Sequence, residues 1–314
     1  MMASVKSLKN DIIYFLTKGF IFIFQNISRK SSLALGRFFG EIAALVDVKE
    51  RELAEKNLTR VYGDSWNEQK VKLIAKDCFV KLGLNAADVI QSGKWDSDRL
   101  ANLIETEGME HFDEAFAQGK GVIGLTGHIG NFELMAAWFA SVKKAPLSVI
   151  GRQLYDKRLD KLLVENRERF GLENISSDES PKKIISLLKN GGFLGVLLDL
   201  DSNKVAGYFA PFFGIPANTA AGPVVIGRRT GSPVAPMAMF RTEDDRYLLK
   251  VLPSFELPNT DDKDADILNG LTQCNKALEE QINYDPTQWM WIHNRWKREP
   301  NEPGNVLNKL EEVK

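Results

Sequence analysis

The chain has 314 residues, of which 44% are hydrophobic and 26% are charged, a balance typical of a globular protein with a sizeable core. Its formal net charge of −1 gives no electrostatic support for nucleic-acid binding. The two cysteines, Cys78 and Cys274, carry no Cys-x-x-Cys motif and are too few for a ligand cluster, which indicates inert core thiols in a reducing compartment.

Residues 12–27 are almost wholly apolar or aromatic, and they lie between basic flanks. The run is shorter than the roughly 20 apolar residues that a membrane-spanning helix needs. Lys18 lies in its middle, where a charge costs about 2.5–3.5 kcal/mol on insertion scales. We therefore expect an N-terminal helical membrane anchor that lies in the interface; a first helix buried against the core is the alternative. The basic flanking residues are Lys6, Lys9, Arg29, Lys30 and Arg37.

The periodicity of the chain changes near residue 112. Before that point it is helical, with predicted helices at 32–46, 48–61 and 66–84. After it, helices alternate with short apolar strands, which we predict at 122–125, 147–150, 173–175, 193–198, 233–239 and 247–252. This alternation predicts an α/β fold with a mostly parallel central sheet flanked by helices. We divide the chain into membrane-associated helices at 1–45 and one α/β domain at 46–314.

Two further segments leave more than one interpretation open. Residues 210–216 are aromatic and punctuated by prolines, which predicts a loop; its spacing favours core packing over a site for a hydrocarbon chain. Residues 289–297 mix tryptophans with cations, a composition found at membrane interfaces and also in a packed C-terminal segment.

The segment Thr126-Gly127-His128-Ile129-Gly130-Asn131-Phe132-Glu133 carries the clearest catalytic signal. A buried strand precedes it, and Asn131 is a plausible N-cap for the helix that follows, so His128 lies at the carboxyl end of a strand. Reactive groups of open α/β sheets collect at that edge. A neutral imidazole that accepts a proton needs a partner on its other nitrogen, which Glu133 supplies one turn later. We predict a general base with its orienting carboxylate; a satisfied loop histidine is the alternative.

Other polar residues are expected at the same edge of the sheet. Arg152 follows the second strand, and Asp199 ends a later one, where it positions a substrate hydroxyl, pairs with an arginine or only terminates the strand. Arg167 and Arg169 belong to a basic cluster on the intervening helix. Arginines present forked donors suited to phosphates, although a solvated helix face is the alternative for this cluster.

Motifs of several other enzyme classes are missing or misplaced. Residues 119–124 match G-x-G-x-x-G, but these glycines lead into a strand, whereas a dinucleotide fingerprint leads out of one. The sequence contains no P-loop, no G-x-S-x-G and no H-E-x-x-H. A Walker-type nucleotide hydrolase, a serine-elbow hydrolase and a zincin are therefore unsupported.

Taken together, these segments resemble the bacterial lysophospholipid acyltransferases of the lipid A late (lauroyl/myristoyl) acyltransferase type. The match extends over most of the chain, and individually weak motifs occur in the right order. They are the N-terminal anchor, Asn57-Leu58, Gly127-His128 to Glu133, Gly151-Arg152, Arg167 to Gly171, Leu198-Asp199, Pro211 to Gly214, Arg229-Thr230-Gly231, and Gln288 to Trp291 before Arg295-Trp296.

The resemblance implies a glycerolphosphate-acyltransferase-like α/β fold and no metal. It implies transfer of a fatty acyl group from an acyl carrier protein or coenzyme A thioester to a lipid hydroxyl, at the cytoplasmic face of the inner membrane. His128 matches the family's catalytic histidine and Glu133 its acidic partner. Arg152, Arg167 and Arg169 fall on its positively charged positions.

The implied mechanism is a direct acyl transfer. His128 deprotonates the acceptor hydroxyl, and backbone N–H groups near Asn131 bind the oxyanion. Arg152 steadies a phosphate, and Asp199 completes the predicted substrate-binding set. The family often has Asp-Gln where this chain has Asp199-Leu200-Asp201, which leaves the acceptor type open. Two alternatives are an acyltransferase for another lipid acceptor and a non-catalytic lipid- or acyl-carrier-binding protein.

Overall fold

The computed structural model describes residues 2–151, 153–176, 181–202 and 205–300. The helices are α1 (Met2–Asn26), α2 (Arg29–Val46), α3 (Val48–Tyr62), α4 (Glu68–Ser92), α5 (Ser97–Leu103), α6 (Met109–Ala117), α7 (Phe132–Ser141), α8 (Lys157–Glu168), α9 (Pro181–Lys189), α10 (Gly222–Thr230) and α11 (Lys263–Tyr284). The strands are β1 (Ile104–Glu107), β2 (Val122–Thr126), β3 (Leu147–Gly151), β4 (Glu173–Ser176), β5 (Phe193–Leu197), β6 (Gly207–Phe212), β7 (Ile215–Ala220), β8 (Val234–Arg241) and β9 (Tyr247–Val251).

A seven-stranded sheet lies at the centre of the described chain, in the order β1-β9-β8-β2-β5-β3-β4. Its neighbouring strands are parallel, except that β8 and β9 are antiparallel. The predicted α/β fold with a mostly parallel sheet is therefore confirmed, and so are the six predicted strands, to within about two residues at each end.

Helices cover both faces of the sheet because the central strands are apolar on both sides. Every residue of β2 is buried, and its side chains alternate between two hydrophobic clusters. Ile123 and Leu125 pack with residues of α3, α4, α9, α10 and α11. Val122 packs on the opposite face with residues of α5, α6 and α7. The two clusters hold the strands rigid at the sheet centre.

The carboxyl ends of β2 and β5 lie side by side. The two strands are parallel, and Thr126 at the end of β2 pairs with Leu197 at the end of β5. The chain leaving each strand therefore emerges at the same edge, which we call the carboxyl edge. This register brings His128 and Asp199 together although 71 residues separate them in sequence.

The helices α1 and α2 carry an exposed apolar surface. Phe24 and Leu33 pack against α4 in a small cluster, but many neighbouring side chains face outward. These exposed residues are Ile12, Ile13, Phe15, Leu16, Phe20, Phe22, Ile23, Phe38, Phe39, Ile42, Leu45 and Val46. Within the described ranges, no helix is both long enough and apolar enough to cross a bilayer.

The loop predicted at 210–216 is wrong, because these residues belong to the antiparallel hairpin of β6 and β7. Pro211 and Pro216 face each other across it, which an isolated two-stranded ribbon tolerates because its outer edges need no N–H donors. Phe213 and Gly214 form the turn with φ angles of 52° and 72°, the left-handed backbone of a tight hairpin. The helical prediction for the first 110 residues also missed β1.

Gly130 lies at a point of the carboxyl edge where the backbone of β8 leaves no room for a side chain. Its φ is +55°, and a Cβ built there would lie 1.8 Å from the carbonyl oxygen of Met239. We expect Gly130→Ala to destabilise the protein far more than Gly231→Ala. Gly231 also has a positive φ, of +72°, but no atom within 4 Å of the added Cβ, so it reports only the left-handed backbone cost of about 1–2 kcal/mol. Chemical denaturation of both variants measures the difference; equal losses would contradict the steric account.

Candidate active site

Asp199 holds the imidazole of His128. Its Oδ1 lies 2.9 Å from His128 Nδ1, and its Oδ2 accepts the backbone N–H of His128 at 2.7 Å. A Cβ at Gly127 would lie 3.0 Å from this carboxyl group, so a glycine is needed for the close approach. Asp199 is completely buried, whereas the His128 side chain is 18% exposed. The imidazole is thus fixed from the inside and open on its outer side.

Trp289 donates a further hydrogen bond to the same carboxylate. Its Nε1–H lies 2.8 Å from Asp199 Oδ2. Both oxygens of Asp199, which the sequence predicts as a substrate-binding residue, accept hydrogen bonds from inside the protein, so in this structure Asp199 positions His128. Trp289 was missed as a site residue, and of the two interpretations of residues 289–297 the packed one holds: Trp289, Trp291 and Trp296 are all buried.

The two partners shift each other's proton affinity. Burial alone would lower the pKa of His128, but the Asp199 carboxylate and its hydrogen bond outweigh burial and raise the pKa above the ordinary 6.5. Burial would likewise raise the pKa of Asp199, and the charge of His128 outweighs it, so the carboxyl pKa is lowered. Because Asp199 accepts the Nδ1 proton, the lone pair of the neutral ring is on Nε2. The arrangement is that of a general base.

His293 is a second histidine in this site, and the sequence interpretation missed it. Its ring lies 5.1 Å from the ring of His128, nearly perpendicular to it. Burial lowers the pKa of His293 to about 4, so it is neutral at neutral pH. Its Nε2 atom is buried and has no hydrogen-bond partner in the described part of the chain.

Glu133 forms an ion pair with Arg167 instead of a hydrogen bond with His128. The contact has two points, Nε to Oε2 at 2.9 Å and Nη2 to Oε1 at 2.5 Å, and both side chains are 17% exposed. Arg167 Nη1 also donates to Asn174 at 3.2 Å. The orienting bond predicted from Glu133 is thus made by Asp199, because the strand register places Asp199 beside His128. The charge of Glu133 still contributes to the raised pKa of His128.

Asn131 is the predicted N-cap of α7, and its side-chain oxygen accepts the N–H of Leu134 at 3.2 Å. Its amide nitrogen donates to Tyr247 at 3.0 Å, and the residue is buried. The backbone N–H groups of Gly130 and Asn131 donate to the carbonyls of Gln288 and Met239. Asn131 therefore caps α7 in this structure, and the N–H groups of Gly130 and Asn131 are used within the fold. That N–H groups at the start of this helix bind an oxyanion stays a prediction.

Arg169 is used within the fold and forms no hydrogen bond with His128 in the described part of the chain. Arg169 donates from Nη2 to the carbonyl of Ser92 at 3.0 Å and to that of Trp95, which ties α8 to the end of α4. Arg152 lies outside the described residues.

An apolar cavity opens beside this site, between α7 and the face of the sheet. Its cavity volume is about 50 Å³, and the empty space is about 510 Å³ when the open solvent at its mouth is counted. Thr126 and Phe132 line it, and they flank His128 in the chain; the Phe132 ring lies 5.1 Å from the His128 ring. Glu133 and Arg167 contribute the charged part of the lining. The apolar walls are formed by Met135, Ala136, Phe139, Leu147, Val149, Ile150, Phe193, Val196, Leu197 and Met237.

Comparison with known proteins gives a consistent set of relatives. A family model described as bacterial lipid A biosynthesis acyltransferase matches residues 3–298. The chain is 26% identical over 268 residues to a lipid A biosynthesis palmitoleoyltransferase of Escherichia coli (strain K12), with 85% of each chain covered. It has the same identity and coverage with a lipid A biosynthesis lauroyltransferase of that strain. A phosphatidylinositol mannoside acyltransferase of Mycobacterium tuberculosis (strain CDC 1551 / Oshkosh) is 23% identical over 200 residues, with 62% and 60% covered.

We predict that Asp199→Asn places the His128 proton on the wrong nitrogen. The amide oxygen would take the Oδ2 position, where two N–H groups donate, so the amide NH₂ would face Nδ1 and force it to accept. The pKa of His128 should also fall, because burial is then opposed only by the smaller effect of the Glu133 charge. Nitrogen NMR of the three histidines measures both effects. An unchanged tautomer and pKa in the variant would refute the orienting role of Asp199.

Proposed function

The chain belongs to the bacterial lipid A biosynthesis acyltransferase family, and from that membership we propose that it transfers a fatty acyl group from a thioester to a hydroxyl of a membrane lipid, with His128 as general base. The family membership inferred from sequence is confirmed, and with it the acyltransferase class. The observation that carries the catalytic proposal is the hydrogen bond between Asp199 and Nδ1 of His128, which leaves Nε2 to accept a proton.

The proposed acceptor is a glycolipid of the lipid A type, because two similar relatives are named for lipid A biosynthesis. The proposed donor is an acyl thioester of acyl carrier protein or coenzyme A, which is consumed as a co-substrate without a metal or resident cofactor. Acylation of another lipid is the alternative, and the relative named for phosphatidylinositol mannoside supports it. A protein that only binds lipid or acyl carrier protein would not require an oriented base.

The proposed reaction is one nucleophilic acyl substitution. His128 Nε2 takes the proton of the acceptor hydroxyl while its oxygen attacks the thioester carbonyl carbon. The tetrahedral intermediate then collapses, the carbon–sulfur bond breaks, and His128 returns the proton to the leaving thiolate. Buried Asp199 stabilises the imidazolium between the two proton transfers, since it is negatively charged and 2.9 Å away.

The first turn of α7 supplies candidate oxyanion donors. The helix begins at Phe132, so the N–H groups of Phe132 and Glu133 have no helical carbonyl four residues before them. They follow His128 closely in the chain and lie at the positive end of the helix dipole. In the proposed transition state they bind the oxyanion, whereas the N–H groups of Gly130 and Asn131 donate to carbonyls of the fold.

The apolar cavity is the proposed acyl-chain site. Thr126 and Phe132, which flank His128 in the chain, line it, and most of its walls are hydrocarbon. In the proposed complex an acyl chain lies in this cavity with its carbonyl toward His128. The ion pair of Glu133 and Arg167 gives the lining its polar part, where the thioester end or headgroup atoms pass.

The exposed apolar surface of α1 and α2 is the proposed membrane contact. Phe15, Phe22 and Leu45 are 68%, 69% and 70% exposed. Exposing these apolar side chains to water is unfavourable, and insertion among lipid acyl chains would remove that penalty. Residues 1–45 then act as an interfacial anchor, and the protein works on the cytoplasmic face of the inner membrane. Such a placement suits an enzyme with a lipid acceptor.

We expect His128→Ala to lose acyl transfer by about 10²–10⁴-fold, the usual contribution of a positioned base. His111→Ala is the matched control, because His111 lies on α6 outside the site. Mass spectrometry of lipids from a host with each version identifies the acceptor and the acyl length. Wild-type turnover in a folded His128→Ala variant would refute the proposal.

In the wild-type protein, kcat/KM should fall as pH drops through a value above 6.5, because protonated His128 cannot act as a base.

We expect Ala136→Phe to shorten the acyl chain that the enzyme prefers. Ala136 lines the cavity, and a phenyl ring there fills part of the space that the end of a long chain needs. The ratio of kcat/KM for a long over a short acyl thioester should fall about tenfold or more. Ala140→Phe, one turn further along α7 and outside the cavity lining, is the control. Equal selectivity in both variants would show that the acyl chain binds elsewhere.

A further inference from the structure

An open basic cleft lies between α2, α4 and the turn from β8 to β9. Its cavity volume is about 370 Å³, and it is lined by Arg29, Lys30, Leu33, Ala34, Arg37, Leu84 and Asp245. Arg29, Lys30 and Arg37 project into one concave surface, whereas Asp245 is the acidic residue of the lining. Neither Lys30 nor Arg37 forms an ion pair within the described residues. Asp77 is close enough to feel the charge of Arg37 but makes no salt bridge with it.

Arg29 is held so that part of its guanidinium faces the cleft. Its Nε and Nη2 donate to the two oxygens of buried Asp88 at 2.9 and 2.8 Å, and Nη2 also donates to the carbonyl of Asp245. Its Nη1 has no acceptor in the described part of the chain. A fixed guanidinium with free donors beside two unpaired cations matches the geometry and charge of a phosphate group.

The cleft lies at the same edge of the sheet as His128. Strand β8 runs parallel to β2, so Asp245, in the turn after β8, lies at the carboxyl edge. A chain of hydrogen bonds also joins the two places: Arg29 binds Asp88, Asp88 accepts from Tyr247 at 2.7 Å, and Tyr247 accepts from Asn131 at 3.0 Å. Asn131 caps the helix that begins beside His128.

The cleft also adjoins the exposed apolar surface of α1 and α2. Lys30, Ala34 and Arg37 are exposed and lie on one face of α2, next to the face that exposes Phe38 and Ile42. If the apolar face enters a bilayer, the basic face lies at the depth of the lipid headgroups. An anionic membrane surface attracts cations at that depth.

We propose that the cleft formed by Arg29, Lys30 and Arg37 binds the phosphate of an anionic membrane lipid. The proposal rests on the membrane placement proposed above, and it goes beyond the acyl-transfer site. Arg29 supplies directed hydrogen bonds, Lys30 and Arg37 supply charge, and Leu33 and Leu84 contact the apolar part of the lipid. A bound lipid would hold the carboxyl edge of the sheet against the bilayer surface.

The test compares Lys30→Gln/Arg37→Gln with Lys49→Gln/Lys56→Gln. Both double variants remove two exposed positive charges, but Lys49 and Lys56 lie on α3, outside the cleft lining and outside the exposed apolar surface. Flotation is measured with phosphatidylcholine vesicles with and without phosphatidylglycerol. On the anionic vesicles the cleft variant should bind about tenfold more weakly than the control variant, and on neutral vesicles the two should be equal. A second arm measures the rise in Tm that inorganic phosphate produces in each protein.

Each outcome has one meaning. A loss confined to the cleft variant on anionic vesicles supports a lipid phosphate as the ligand. Equal vesicle binding, with a phosphate-induced rise in Tm that only the cleft variant loses, supports a free phosphate site and overturns the lipid form. Equal behaviour in both arms overturns the cleft altogether. A wild-type protein that binds no vesicle refutes the membrane placement, and acyl transfer measured in neutral detergent tests the catalytic proposal separately.

Discussion

The fully buried carboxylate of Asp199 is the constraint on which the site depends. An unpaired charge in a protein interior costs several kcal/mol, so three groups must converge on it. His128 supplies its ring and its backbone N–H, and Trp289 supplies its indole N–H. The first two come from the chain just after β2, and the third comes from a segment 90 residues after Asp199 itself. The compensation of one charge thus fixes the strand register, the position of the base and the packing of the C-terminal tryptophans.

A second buried carboxylate, Asp88 on α4, organises the neighbouring part of the carboxyl edge. It accepts hydrogen bonds from Arg29, Arg241 and Tyr247, and its side chain is completely buried. Tyr247 in turn holds Asn131, the cap of α7. Burial, followed by the charge of Asp88, raises the pKa of Tyr247 well above its ordinary value, so Tyr247 stays a neutral donor. The helix that flanks the base is therefore anchored to the same polar network that orients Arg29 in the basic cleft.

Local sequence pattern predicted the elements well and their contacts less well. The apolar run of β2 and the cap at Asn131 are signals within a few residues, and both appear in the structure. The partner of His128 is not such a signal. Glu133 is one turn away along the chain, so the sequence pattern favours it as the partner of the imidazole. The residue that forms the hydrogen bond with His128 is Asp199, which only the pairing of β2 with β5 brings close. The sequence does not predict the hydrogen bond from Trp289 to Asp199 for the same reason, since this bond forms only after the C-terminal segment has packed against the sheet edge.

The proposed base and the proposed membrane contact lie near the same edge of the central sheet. The base follows β2, the basic cleft includes the turn after β8, and these parallel strands end at one edge. The exposed apolar surface is formed by α1 and α2, and α2 also supplies Arg29, Lys30 and Arg37. A bilayer that covers this surface therefore lies beside the edge that carries His128. On this arrangement a lipid hydroxyl reaches the base from the membrane side while its hydrocarbon chains stay among other lipids. The enzyme then needs to enclose only the acyl chain that it transfers, which agrees with an apolar cavity whose lining includes Thr126 and Phe132 on either side of His128.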